Sequence, residues 1–149
     1  MVAEEIATQI VKAFKQGNKL LICGNGGSAS MSQHMAAELV NGFENNLVPP
    51  LPAISLTTDT SILTSIGNDI GFEHIFSRQI EALGKPGDIL LAISTSGRSP
   101  NYKYAKVRAR SLGLQVIDFP RKGKTTAKIQ EYQLVLMHDI CRLIGEAYK

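Results

Sequence analysis

His34 and Glu38 stand four residues apart in a stretch, Ser28 to Val40, whose apolar residues Met31, Met35, Ala36 and Leu39 fall at helical spacing. On a helix they lie about 40° apart around the axis. Such a pair can share a metal ion, set a carboxylate base beside an imidazole, or be no more than a surface ion pair. Gln130 and His138 lie eight apart near the other end of the chain, about 80° apart around a helix axis and two turns along it. Taken alone, His138 reads as a packed or surface histidine.

Two loops add a different chemistry. Gly24-Asn25-Gly26-Gly27-Ser28 follows the apolar run Lys19–Cys23 and opens the helix of His34. Glycines there let backbone N–H groups approach an anion, although a plain tight turn has the same composition. The loop lacks the Gly-Lys-Ser/Thr ending of a Walker loop and the third glycine of a dinucleotide fingerprint. Ser94-Thr95-Ser96-Gly97-Arg98-Ser99 follows the apolar run Ile89–Ile93 and precedes a helix. Four hydroxyls around one glycine at a helix start favour a phosphate cradle over a solvated loop. Asn68-Asp69, between Gly67 and Gly71, reads as a turn or as a binder of sugar hydroxyls.

The elements that must hold these groups alternate. Helices are expected at Val2–Gln16, from Ser28 (as its cap) to about Val40, at Asp59–Ile66, Phe72–Leu83, Asn101–Leu112 and Thr125–Ala147. In the last, Leu134, Met137, Cys141 and Ile144 form the expected apolar face. Strands are expected at Lys19–Cys23, Ala53–Leu56, Ile89–Ile93 and Leu114–Phe119, predominantly apolar runs. Such strands between helices imply a doubly wound α/β fold, a parallel sheet covered on both faces. Ligands then bind at the carboxyl ends of the strands, where both loops fall.

Composition narrows the class. The 149 residues, 44% hydrophobic and 19% charged, suit a single domain and exclude an intrinsically disordered chain. No apolar run reaches the roughly 18 residues that span a membrane. The net charge of +3 is too mild to indicate nucleic-acid binding, and the cluster Arg121, Lys122, Lys124 reads as a solvated loop. Cys23 and Cys141 form neither a disulfide framework nor a metal pair, so reduced core thiols and a cytoplasmic location are expected.

In combination, Cys23–Ser28, Gln33–Leu39, Gly67–Phe72, Ser94–Ser99 and Ile129–Glu131 resemble the sugar isomerase (SIS) domain family, and within it the phosphoheptose isomerases. The resemblance runs from about Leu20 to Ile117 and resumes at Lys128. It implies a flavodoxin-like sheet order and the interconversion of sedoheptulose 7-phosphate and D-glycero-D-manno-heptose 7-phosphate through an enediol, in bacterial lipopolysaccharide or capsule heptose biosynthesis. By resemblance, Asn25, Gly26, Gly27, Asn68, Asp69 and Gln130 would contact substrate, while Ser94, Thr95, Ser96 and Ser99 would hold its phosphate. His34, Glu38, Gln130 and His138 would bind a divalent metal, zinc, and Glu38 and His138 would be the acid–base pair. A homotetramer with active sites between subunits is also implied. The alternative is a non-catalytic SIS protein, a sugar-phosphate sensor or a partner of the replication initiator. The initiator-associating relative lacks the groups matching Glu38 and His138, which this chain keeps.

Three departures accompany the resemblance. The family pattern has a further helix ahead of Val2–Gln16, and Arg98 stands where asparagine is usual. Between Ile117 and Lys128 the chain is shorter than the pattern by roughly 15–20 residues, about one helix and part of a strand, too short for the crossover of a fifth parallel strand, so either that strand is lost or a segment is absent from this sequence.

Overall fold

The computed structural model describes residues 1–44 and 48–149. In chain order it contains α1 (Val2–Lys15), β1 (Leu20–Cys23), α2 (Gly27–Asn41), β2 (Ala53–Ser55), α3 (Thr60–Asp69), α4 (Ser77–Leu83), β3 (Ile89–Ala92), α5 (Pro100–Ser111), β4 (Gln115–Asp118) and α6 (Thr126–Glu146). The strands are all parallel and ordered β2-β1-β3-β4. Among the described residues the sheet has four strands, and α6 follows β4 with no fifth strand between them.

Strand side chains alternate between faces, and the two cores divide accordingly. Leu20, Ile22, Ile89, Leu91 and Ile117 point into one core with α1, α2 and α6. Leu21, Cys23, Leu90 and Ala92 point into the other with α4 and α5. Burial on both faces explains why β1 and β3 read as unbroken apolar runs rather than as alternating ones. At the amino ends of the central strands, Asp88 is a hub. It accepts from the Lys19 and Lys85 amides at 3.0 and 2.8 Å, from Asn18 Nδ2 at 3.0 Å and from Lys19 Nζ at 2.7 Å. Burial alone would raise its pKa, but these donors outweigh it and hold the carboxyl below the usual carboxylate value.

Several local expectations shift. Ser28 does not cap α2; Gly26 takes that place at φ +56°, and Ser28 is buried in the first turn. Asp59 is the cap of α3, accepting from the Ile62 amide at 2.9 Å, and the helix continues past Gly67 to include Asn68 and Asp69. The expected helix Phe72–Leu83 is split into a 3-10 turn at Phe72–His74 and α4. Gly71, at φ +144°, sets the chain's re-entry, and the split lets Ile75, Phe76 and Ile80 all reach the second core. On α6 Met137, Cys141 and Ile144 of the expected face are buried, but Leu134 is exposed, and Gln133 is buried in its stead beside Leu136 and Met137.

Candidate functional site

The switch in strand order falls between β1 and β3, where connections leave in opposite directions and open a crevice at the strands' carboxyl ends. The glycine loop after β1 and the hydroxyl loop after β3 meet there. They are tied by a reciprocal amide pair, in which Asn25 Nδ2 donates to Asn101 Oδ1 at 2.8 Å and Asn101 Nδ2 to Asn25 Oδ1 at 2.9 Å. Asn101 is buried in the first turn of α5. A groove of about 630 Å³ runs alongside, lined by Asn25, Gly26, Ser99, Pro100 and Asn101 together with Phe72, Glu73 and Tyr104.

The glycine loop is set by close approach. A Cβ on Gly24 would lie 2.7–2.9 Å from Ser28 and from the Ile93 carbonyl, so only glycine lets the turn sit against the end of β3. A Cβ on Gly27 would overlap the amide of Gln130, which lies directly on the helix start. Gln130, on α6, is thereby brought to the loop of Gly26 and Gly27, as the resemblance implies.

The hydroxyl loop is partly committed to its own shape. Ser94 Oγ accepts from the Gly97 amide at 2.9 Å and Ser96 Oγ from the Arg98 amide at 3.1 Å. The Thr95 and Ser99 hydroxyls make no such bond among the described residues, and Ser99 is the residue preceding α5. Ser99 thus stands beside the leading amides of the α5 first turn, which have no helical partner, an arrangement suited to a phosphate oxygen.

Helices α2 and α6 pack together and bring three titratable side chains to one place. His34 Nε2 lies 3.5 Å from Glu38 Oε1. The His34 and His138 rings meet edge to face with centroids 5.3 Å apart, and Phe43 stacks on the other side of His138, also at 5.3 Å. Glu38 faces α6 closely enough for its charge to act on Cys141, whose thiol is pushed up to about 12, first by burial and then by that carboxylate. Asn68 and Asp69 stand apart, exposed at the end of α3. There Asn68 donates to Asp69 at 3.0 Å, and neither bonds to another candidate residue.

Residues outside the sequence-based set also build the site. Asn101 locks the two loops, Phe43 fixes one face of His138, and Gln133 donates from α6 to the Ser94 and Pro120 carbonyls, both at 3.2 Å. Asn101 was within reach of sequence reading, as the residue after Pro100 at a helix start. Phe43 lies beyond the end of α2, and no periodicity marks it.

The donor set His34, Glu38, Gln130 and His138 offers nitrogen and oxygen ligands of the kind zinc accepts. The His34–Glu38 separation suits two ligands about 2.0–2.2 Å from one ion. Among the described residues, however, no three His, Cys, Asp or Glu side chains are already gathered as a metal cluster.

A SIS domain family model matches residues 3–119. The phosphoheptose isomerase of Campylobacter concisus is 46% identical, over 97% of this chain and 85% of its own length. That of Bradyrhizobium sp. strain ORS 278 is 48% identical, over 97% and 81%. These alignments run to 162 and 161 positions, longer than the chain itself, so the relatives carry residues that this chain lacks. Among solved structures, a phosphoheptose isomerase from Francisella tularensis superposes with a TM-score of 0.92 at 36% identity, covering 97% of this chain and 85% of that one. The enzyme from Neisseria gonorrhoeae gives 0.90 at 37%, with the same coverages. Sheet order, paired loops and these likenesses agree: the chain belongs to the SIS domain family, and within it to the phosphoheptose isomerases.

Proposed function

We propose that this protein is an aldose–ketose isomerase interconverting sedoheptulose 7-phosphate and D-glycero-D-manno-heptose 7-phosphate. The observation that carries the reading is that Glu38 and His138, from helices distant in sequence, both lie against His34. A phosphate-suited loop lies at the adjacent strand end. The substrate's phosphate occupies the Ser94–Ser99 loop and its carbon chain lies toward α2. The Glu38 carboxylate takes a proton from C1 of the ketose, and the C1–C2 enediol forms as the carbonyl oxygen gains a proton. His138 moves the proton between O1 and O2, and Glu38 returns its proton to C2, leaving the aldehyde at C1. Positioned acid–base groups of this kind contribute about 10²–10⁴-fold.

A zinc-type ion held by His34, Glu38, Gln130 and His138 would, when bound, polarise the sugar carbonyl. The donor chemistry and the His34–Glu38 separation support that assignment. A homotetramer, a cytoplasmic location and a place in lipopolysaccharide or capsule heptose synthesis belong to the same proposal. They are supported by the family relationship, and no helix among the described residues is long and apolar enough to cross a membrane.

A coupled assay with sedoheptulose 7-phosphate tests the reading. Turnover is expected in the wild type, with a loss of about 10²-fold or more in Glu38→Gln and in His138→Ala. Sugar-phosphate binding without any wild-type turnover would instead establish the sensor.

A further inference from the structure

The candidate phosphate loop is built of hydroxyls and amides, yet a guanidinium lies against its middle. A Cβ placed on Gly97 would come within 3.1 Å of Arg121 Cζ and 3.2 Å of Nη2, and Gly97 itself holds φ +69°. Arg121 belongs to the connection between β4 and α6, the place where this chain is shorter than its family pattern. It is firmly held there. Nη1 donates to Tyr102 Oη at 3.1 Å and to Asp118 Oδ1 at 3.0 Å. Asp118 in turn pairs with Lys106 Nζ at 3.0 Å and accepts from the Tyr102 hydroxyl.

Both Arg121 bonds use Nη1. Nη2, the amine nearer Gly97, makes none among the described residues, and 33% of the side chain is open to solvent. Two cations around one carboxylate leave a positive charge in excess beside the loop. Arg98, on the loop itself, is exposed and its guanidinium has no partner among the described residues. An arginine already fixed by neighbours loses little freedom when it meets an anion, whereas Arg98 would have to be ordered first.

We propose that Arg121 is a specificity-determining residue of the Ser94–Ser99 loop, the cation that selects a phosphate dianion there, with Tyr102 and Asp118 positioning it. The inference rests on reading that loop as the phosphate site. A guanidinium presents planar donors to phosphate oxygens, and such charge-assisted bonds are roughly twice as strong as neutral ones. A phosphate monoester loses its second proton near pH 6, about where the preference for the dianion becomes visible.

The test measures the KM for sedoheptulose 7-phosphate and the Kd for inorganic phosphate, at low and high salt and on both sides of the second phosphate ionisation. Wild type is compared with Arg121→Gln, Arg121→Lys and Arg98→Gln. Arg121→Gln is expected to raise both constants roughly tenfold with kcat largely kept, and to lose the dianion preference and most of the salt dependence. Arg121→Lys keeps a cation and should recover the salt dependence with part of the affinity, which also serves if the glutamine loosens the fold. Arg98→Gln should stay within about twofold of wild type. Unchanged constants in Arg121→Gln would overturn the proposal. So would a raised KM with the dianion preference intact, the signature of a merely structural role. Wild type that turns over the sugar phosphate but is indifferent to its ionisation would overturn Arg121 alone. Wild type without affinity for either phosphate ligand would sink the phosphate-loop reading and the proposal with it.

Discussion

Gly24 and Gly27 stand three residues apart in one loop, yet a methyl group at each would meet different things. At Gly24 it would press on backbone, the Ile93 and Ser28 carbonyls, which can move only if the β1–β3 junction opens. At Gly27 it would meet the far end of the Gln130 side chain, which can swing aside. Gly24→Ala should therefore destabilise by about 1–3 kcal/mol, as overpacking does. Gly27→Ala should leave the melting temperature near wild type but lower kcat/KM, because Gln130 is displaced from the helix start. Thermal melts and steady-state kinetics on the two variants check this. If Gly27→Ala instead loses stability as Gly24→Ala does, the distinction fails. The glycine run itself was plain in the sequence. The partner that each glycine admits was not, because Gln130 lies more than a hundred positions away.

Elements are held in register by Asp88, which joins the start of β3 to the α1–β1 turn and to the turn after α4. Removing a buried carboxylate that serves four donors leaves those donors without their shared partner. Asp88→Ala should cost about 2–4 kcal/mol by chemical denaturation. Its pH dependence has a definite sign. The folded-state pKa lies below the unfolded value of about 3.9, so the contribution is full above that value. It is lost as pH falls through the lowered folded pKa. Wild type minus Asp88→Ala stability should thus shrink only in strong acid, and a difference that persists undiminished there would contradict the assignment. At this scale the strand runs, the hydroxyl loop and the break at Gly17-Asn18 were legible, since each depends on near neighbours. The extension of α3 past Gly67 and the split after His74 were not, since Ile75 and Phe76 pack at that break into a core built from distant segments.

At the scale of the molecule, the chain keeps both chemical loops and the α2–α6 junction while its described residues form a four-stranded sheet. β4 is thus an edge strand, with charge concentrated at its end in Asp118, Lys106 and Arg121, a composition that discourages further strand pairing. An apolar groove of about 550 Å³ between α1 and α6, lined by Ala7, Val11 and Leu143, and the exposed Val135 are consistent with the proposed homotetramer. Sedimentation velocity at assay concentration should give about four times the 16.2 kDa chain mass. A strict monomer with full activity would remove the need for sites between subunits.

The sequence alone determined the alternation of helix and strand, the parallel sheet and the loops at its carboxyl edge. These follow from backbone periodicity and from glycine and hydroxyl chemistry, which act over a few residues. His34 with Glu38 was equally local, one turn apart on a single helix. Only the tertiary structure decided that His138 meets His34, that Gln130 lies on Gly27 and that Arg121 reaches Gly97. It also decided that α6 buries Gln133 and exposes Leu134, the reverse of their hydropathies. The placements on α6 depend on the rotation at which that helix docks, and the Arg121–Gly97 contact on the pairing of β3 with β4, which sets the loops after them side by side; no single stretch of sequence encodes either.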